Sequence, residues 1–428
     1  MDETSYYHRQ AAAPGRPPLT GPVETEIAIV GGGLAGLAVA LSLAERGTAP
    51  VLIEAATLAS GASGRNGGMV SAGFTAPLPA LERRLGVPVA ERLMRASLDA
   101  IALIRARIAR HAIACAPVDG LVIASWFDEA AELRAEAQDL NERFGMRLEF
   151  WPRERLRALY PSPRYWDGLF DPEALHLDPL ALARGYALAA ERLGAVIHEH
   201  SPGLELERLE DGRWAVRTPE GVLRARRLVL CQSAYPPALL PRLARATLPV
   251  FTYVMVTEPL TGAHAGVIRA PYAVYDTRFA TGYYRPLPDG RLLWGGRIST
   301  RERQRDLHQL MRRDLARVYP QLADVAVAQA WSGRMGFTRH KMPVVRELEP
   351  GLWVSTGFGG HGLNTTTMAG ELVAAALTEG GEDWRLLAGF APRWVGGSAG
   401  RYAAQAIYWR HALQDSLRAA WQARAGRG

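Results

Sequence analysis

The stretch from Thr25 to Gly73 constrains this chain more than any other. The apolar run Ile27-Ala28-Ile29-Val30 feeds Gly31-Gly32-Gly33-Leu34-Ala35-Gly36, then an alanine- and leucine-rich segment ending at Glu45-Arg46-Gly47. That order predicts a strand, a tight turn and a helix. Gly31 permits the turn, Gly33 lets backbone approach a pyrophosphate, and Gly36 lets the helix pack closely on the strand. Phosphates would then sit at the positive end of the helix, where the first N–H groups lack intrahelical partners. A second strand, Pro50-Val51-Leu52-Ile53, ends at Glu54, near the distance where an acidic side chain binds ribose hydroxyls. With these parts in register, the stretch predicts a dinucleotide site. Ile27 to Ala44 is uncharged and long enough to suggest a membrane span, but four glycines and a recognisable turn argue against one.

A chain of 428 residues predicts two interleaved domains. Two cysteines, Cys115 and Cys231, cannot make a disulfide framework or a cysteine-based metal site, which fits a reducing cytoplasm. Residues 1–24 are polar and Pro-rich, have no apolar signal core, and read as an extended arm. The net charge of +7 is not concentrated in any basic arm, which argues against a nucleic-acid partner. Of 50 basic residues one, Lys341, is lysine and the rest are arginine. A lone lysine is worth locating, because arginine cannot replace a compact, titratable ammonium.

Ala59 to Met69, with four glycines and two serines, reads as a loop that wraps something by backbone contacts. Leu81 to His111 is helical in pattern, Val118 to Ala124 is a strand, and Asp128 to Phe144 is a second amphipathic helix. Asp178-Pro179 starts a helix that runs through Leu193 and is closed by Gly194; Ala195-Val196-Ile197 follows as a third strand. Asp211-Gly212 marks a hairpin. Pro249 to Arg297 is β-rich, and a helix over Glu302 to Tyr319 follows. Tyr253, Met255, Tyr275, Tyr283, Tyr284 and Trp294 fall in the β-rich region, and an aromatic sheet face there suits a substrate wall. The strand Leu352 to Ser355, the glycine turn Gly357 to Gly362 and a helix from Leu363 repeat the opening arrangement, so a second helix N-terminus points inward. In Gly400 to Arg424, Tyr402, Ala406, Trp409, Leu413, Leu417 and Trp421 share one side, expected to pack on the body; peripheral membrane contact is the alternative.

The opening glycines with Glu54, the run Ala62-Ser63-Gly64-Arg65-Asn66-Gly67-Gly68, Trp294-Gly295-Gly296-Arg297, and Gly357-Phe358-Gly359-Gly360-His361-Gly362 together resemble the FAD-dependent D-amino acid oxidase superfamily. The Ser-Gly-Arg-Asn-Gly-Gly version is similar to the branch of γ-glutamylputrescine oxidoreductases and bacterial L-pipecolate oxidases. The resemblance covers roughly residues 5 to 395. It implies an α/β (α+β) fold: a Rossmann-like FAD-binding domain (25–80, 165–245 and 335–395) interleaved with a substrate domain on a mostly antiparallel β-sheet (81–164 and 246–334); the C-terminal amphipathic helix (396–428) is read from its own pattern, outside the resemblance. FAD would contact Gly31, Gly33, Leu34, Ala35, Gly36, Glu54, Ala55, Ser63, Gly64, Arg65, Asn66, Gly67, Gly68 and Met69. Further contacts would come from Val196 near the adenine and from Gly359, Gly360, His361, Gly362, Leu363 and Asn364 near the flavin. Related sarcosine oxidases attach FAD through a cysteine before the last glycine motif; Met335 to Met342 has none, so non-covalent FAD is expected. Those oxidases also place a lysine after Gly-His-Gly, where this chain has Asn364, and the acceptor is left as oxygen or a membrane quinone chain.

The resemblance implies oxidation of a C–N bond in a small-molecule amine or amino acid by hydride transfer to flavin N5, giving an imine. The expected substrate is a secondary amine or cyclic amino acid of L-pipecolate or γ-glutamylputrescine type. A respiratory-chain amino acid dehydrogenase and a flavin-bearing RNA-modifying or RNA-binding protein are the alternatives. Lys341, His361, Tyr283 and Arg285 are the candidate catalytic residues. Arg339 is a further carboxylate partner, with Tyr253, Met255, Tyr275, Tyr284 and Trp294 as substrate walls.

Overall fold

The computed structural model describes residues 5–10, 15–235, 239–279, 281–302 and 304–425. The apolar run before the glycines is the end of a longer strand, Gly21–Val30, at the centre of an eight-stranded sheet. Gly221–Leu230 and Val51–Ile53 flank it in parallel, and Leu352–Thr356 and Val196–His198 extend the parallel run. Val344–Glu349 pairs antiparallel at one edge. Val30 lies beside Ile53 and Leu230, so the carboxyl ends of these strands open on one crevice, where parallel sheets bind ligands. The hairpin around Asp211-Gly212 forms from Glu205–Arg208 and Trp214–Arg217.

Helices Leu34–Glu45, Pro179–Arg192 and Gly362–Thr378 pack into the core beside this sheet. Asp178 caps its helix as expected, accepting from the N–H groups of Leu180 and Ala181 at 2.9 Å each. The single helical pattern from Leu81 is two helices, Leu78–Leu85 and Val87–Arg110, because Gly86 takes φ +85° and Pro88 follows. Residues 81–164 were expected in the substrate half, yet Leu93, Ala100, Ile101 and Ile104 join the core around helix Leu34–Glu45. Arg107, fully buried, fixes that docking: it pairs with Glu45 and Glu371 at 2.6 Å each and with Ser42 at 2.9 Å. One guanidinium thus ties three helices together.

The second sheet has nine strands. Its main path runs Val327–Phe337, Leu248–Thr257, Leu292–Ser299, Tyr283–Pro286, Ala273–Asp276, Val118–Ala124, Gly168–His176 and Met69–Val70. All pairs are antiparallel except Ala273–Asp276 with Val118–Ala124. Gly168–His176, expected in the nucleotide half, is therefore part of this sheet. Trp331 to Phe337 is strand, which leaves only Thr338 to Pro343 as the lysine-bearing loop. The expected helix from Glu302 starts at Leu307.

Both ends of the chain differ from expectation. The 1–24 stretch contains the helix Tyr6–Gln10, with Tyr7 buried, and the first strand already begins at Gly21. The C-terminal helix Gly397–Ala425 docks through polar side chains. Gln405 accepts from Thr300 N–H at 3.0 Å, Asp415 from Phe279 N–H at 2.9 Å, and Arg418 pairs with Glu129 at 2.9 Å. Its aromatic side faces outward instead: Trp409 is 62% exposed and Trp421 70%. The expected packing of that side on the body is corrected, because the rim it meets is polar.

Candidate active site

A cavity of about 1560 Å³ runs from the glycine turn to the C-terminal helix. Ordinary small-molecule pockets occupy roughly 300–1,000 Å³, so this one has room for a cofactor and a substrate together. At its nucleotide end, Gly31 takes φ +113° and turns the chain beneath the Cys231 carbonyl. A Cβ on Gly36 would lie 1.9 Å from the Gly31 carbonyl oxygen, so helix and turn touch backbone to backbone, as the sequence predicts. Gly33 and Leu34 then present the helix N-terminus to the cavity, where the Leu34 N–H donates to Ser63 Oγ at 2.9 Å. Glu54 accepts from Gly32 N–H at 2.6 Å and from Ala56 N–H at 2.9 Å. Both carboxylate oxygens are thereby oriented, with lone pairs left for ribose hydroxyls.

At the other end, Gly357 and Gly359 have φ of +77° and +59° and fold the second glycine turn. Gly359 N–H donates to Gly336 O at 3.1 Å, and Gly360 N–H to Thr75 Oγ1 at 3.3 Å. Helix Gly362–Thr378 follows with His361 at its N-cap and no side-chain cap, so its positive end faces the cavity. Burial lowers the His361 pKa, which keeps the imidazole neutral. Asn364 is buried with its amide directed at Ser97 Oγ, 3.2 Å away. Two helix N-termini, a glycine cradle and an oriented carboxylate fit an extended dinucleotide such as FAD. Ala35, Ala55, Arg65, Asn66, Gly67, Met69 and Leu363, which the resemblance assigns to FAD, also line the cavity.

Four expected cofactor contacts take other roles. Gly36 works only by packing. Gly64 is buried against Ala59 O and Leu180, and Gly68, at φ +77°, against Leu177 O; neither lines the cavity. Val196 opens its strand, half exposed, and its N–H is spent on Pro50 O at 3.0 Å. The crevice lies at the other end of that strand, where Ser201, Pro202 and Gly203 line it instead.

The expected substrate residues divide in the same way. Tyr275, Tyr283, Arg339 and Lys341 line the cavity. The Tyr283 ring lies between two glycines, since a Cβ on Gly67 would stand 2.6 Å from it and one on Gly295 2.1 Å. Its phenol is pushed upward in pKa by burial and remains protonated. Tyr253, Met255, Tyr284 and Trp294 do not line the cavity. They belong to the core of the second sheet, where Tyr284 stacks on Trp294 and bonds to Tyr319 at 2.5 Å. The sequence shows their alternation but not which sheet face is inside. Arg285 is also not a cavity residue: it is 3% exposed and bonded to Gly67 O, Leu177 O and Tyr7.

The charges at the substrate end are uneven. Arg278 is neutralised by Asp276, with contacts of 3.0 and 2.6 Å, and Arg297 by Asp314. Arg339 and Lys341 make no ion pair among the described residues, and Lys341 Nζ lies 5.6 Å from the Phe279 ring centre. The far wall comes from Trp394 and from Ala403, Ala404, Ile407 and Tyr408 of the C-terminal helix. Sequence reasoning assigned none of these, nor Thr75 and Phe279, because each belongs to the site only through tertiary contact.

The family model described as FAD dependent oxidoreductase matches residues 26–376. The chain is 32% identical over 380 residues to a probable oxidoreductase, OrdL, of Haemophilus influenzae, covering 86% of each chain. It is 31% identical over 382 residues to the γ-glutamylputrescine oxidoreductase of Escherichia coli, covering 88% of this chain and 89% of that one. Glycine oxidase from Geobacillus kaustophilus shares the fold with a TM-score of 0.72 at 22% identity, over 86% of this chain and 98% of that one.

Proposed function

This chain belongs to the family of FAD-dependent oxidoreductases, and from that premise we propose that its substrate is an amino acid or amino-acid-derived amine whose carboxylate is held by Arg339 and Lys341. One observation carries this reading: among the described residues those two cations have no carboxylate partner, whereas Arg278 and Arg297 in the same wall are neutralised. A bound FAD, held at the Gly31–Leu34 turn, Glu54 and the Gly359–Gly362 turn, would supply the two-electron acceptor for oxidising the carbon–nitrogen bond of a neutral amine to an iminium, which yields the imine by releasing a proton to water. Arg339 and Lys341 orient the substrate, Tyr283 and Tyr275 wall its aliphatic part, and His361 lines the cavity at the second glycine turn as a neutral imidazole. Cyclic amino acids of L-pipecolate type, with a secondary amine, and γ-glutamylputrescine, with a terminal primary amine, carry both the nitrogen and the carboxylate this arrangement needs. Anaerobic flavin bleaching against pipecolate, proline, sarcosine, γ-glutamylputrescine and both enantiomers of common amino acids tests the proposal. Bleaching by carboxylate-bearing amines is expected; no bleaching by any amine, or equal bleaching by decarboxylated analogues, refutes it.

FAD is read as non-covalent. Met335 to Met342 has no cysteine, and Cys231, beside Gly31, is a buried thiol whose pKa burial raises, so it is a poor nucleophile. Acid precipitation should release all the flavin into the supernatant. The acceptor is oxygen or a membrane quinone chain, and peroxide release in air against dye reduction separates the two.

The outward stripe of Tyr402, Trp409, Leu413, Leu417 and Trp421 supports contact with an anionic bilayer surface, matched by the net charge of +7. No helix among the described residues is long and apolar enough to cross a membrane. Flotation with anionic liposomes, lost on Trp409→Ser with Trp421→Ser, is the expected result. A chain that stays at the bottom of the gradient, or one that dimerises through this face, ends that reading.

A further inference from the structure

Four consecutive carbonyls of the cavity loop, Gly64 to Gly67, are each held by a side chain from a remote part of the chain. Ser5 Oγ donates to Gly64 O at 3.1 Å, Trp331 Nε1 to Arg65 O at 2.9 Å, Tyr7 OH to Asn66 O at 2.9 Å, and Arg285 Nε to Gly67 O at 2.7 Å. Arg285 also donates to Tyr7 OH at 3.1 Å and to Leu177 O at 2.9 Å, so the clamp is cross-linked. Ser5, Tyr7, Trp331 and Arg285 are all buried.

In a trans peptide the N–H points opposite to the C=O. With the Arg65 and Asn66 carbonyls bound on the body side, the N–H groups of Asn66 and Gly67 are turned to the other side, and both residues line the cavity. The loop is rich in glycine and would otherwise lose much entropy on ordering. We propose that Ser5 and Tyr7, on the N-terminal segment outside the matched 26–376 region, are positioning residues for FAD: they preset the plane of the loop that receives it. Burial raises the Tyr7 pKa, so its phenol remains a donor throughout the neutral range.

The test is FAD binding to the full-length apoprotein, read by quenching of flavin fluorescence and by visible circular dichroism of the bound flavin. Tyr7→Phe keeps the ring against Trp331 and removes only the hydroxyl. It should weaken FAD binding about fivefold, as expected for one lost hydrogen bond, and alter the flavin dichroism. Ser5→Ala should act in the same direction, and the double variant further. Should Tyr7→Phe fail to fold, Ser5→Ala alone decides. FAD affinity within twofold of the parent and an unchanged dichroism, whatever happens to the unfolding midpoint, would overturn the proposal. No amine is used, so a wrong substrate assignment leaves this result untouched.

Discussion

Gly36→Ala asks whether backbone contact between turn and helix builds the nucleotide end. The added Cβ would lie 1.9 Å from the Gly31 carbonyl oxygen, and real contacts do not fall below 3.0 Å, so turn and helix must separate by at least 1.1 Å. The helix has no free direction in which to retreat. Eleven of its twelve residues are buried, and on another side Ala38 already meets Gly370 of helix Gly362–Thr378. Overpacking of this kind costs about 1–3 kcal/mol. If the strain is relieved by moving the Leu34 N-terminus away from the phosphates, the same free energy weakens FAD by about 5- to 150-fold. Flavin fluorescence titration gives the affinity, and urea unfolding of the apoprotein gives the stability. Gly15→Ala, at an exposed position with nothing within 4 Å, is the control and should match the parent. A Gly36→Ala protein that binds FAD within twofold of the parent, with the parental urea midpoint, would refute the reasoning.

Replacing both Arg339 and Lys341 by Met should raise KM for a carboxylate-bearing amine by about 10- to 100-fold, the worth of charge-assisted hydrogen bonds, and leave its decarboxylated analogue within threefold. Steady-state kinetics on the pair checks this. Arg107→Ala removes a fully buried guanidinium and leaves the partly buried Glu45 and Glu371 with fewer partners, and should cost about 2–3 kcal/mol in urea unfolding, because breaking such a pair is more harmful than replacing it. His176 is lowered from 6.5 to about 4, first by burial and then by Arg285. The unfolded chain therefore binds its proton first, and stability present above pH 6.5 is lost as pH falls towards 4. At pH 5 this one group costs about 2 kcal/mol relative to pH 7.5, and His176→Gln should remove that share of the pH dependence in urea titrations.

Local chemistry made the nucleotide half legible. Gly31, Gly36, Glu54, the Asp178 cap and the Gly357–Gly359 turn each act through neighbours close in sequence or through a fixed strand–turn–helix geometry, so residue type and spacing sufficed. The aromatic residues of the second sheet were another matter. Tyr283 and Tyr284 are adjacent and chemically identical, yet one walls the cavity and the other fills a core, because alternate residues of a strand point to opposite faces and periodicity does not say which face is inside. Arg285 reads as a substrate cation in sequence and is a buried clamp in the fold. Docking of the C-terminal helix through Gln405, Asp415 and Arg418 turned its aromatic stripe outward, against the ordinary expectation for an apolar face. The sequence by itself determined the dinucleotide site, since a pyrophosphate cradle is built from contiguous backbone, and its family resemblance narrowed the ligand to FAD. Only the tertiary structure decided the substrate wall and the loop clamp, since these are assembled from segments hundreds of residues apart whose meeting depends on packing.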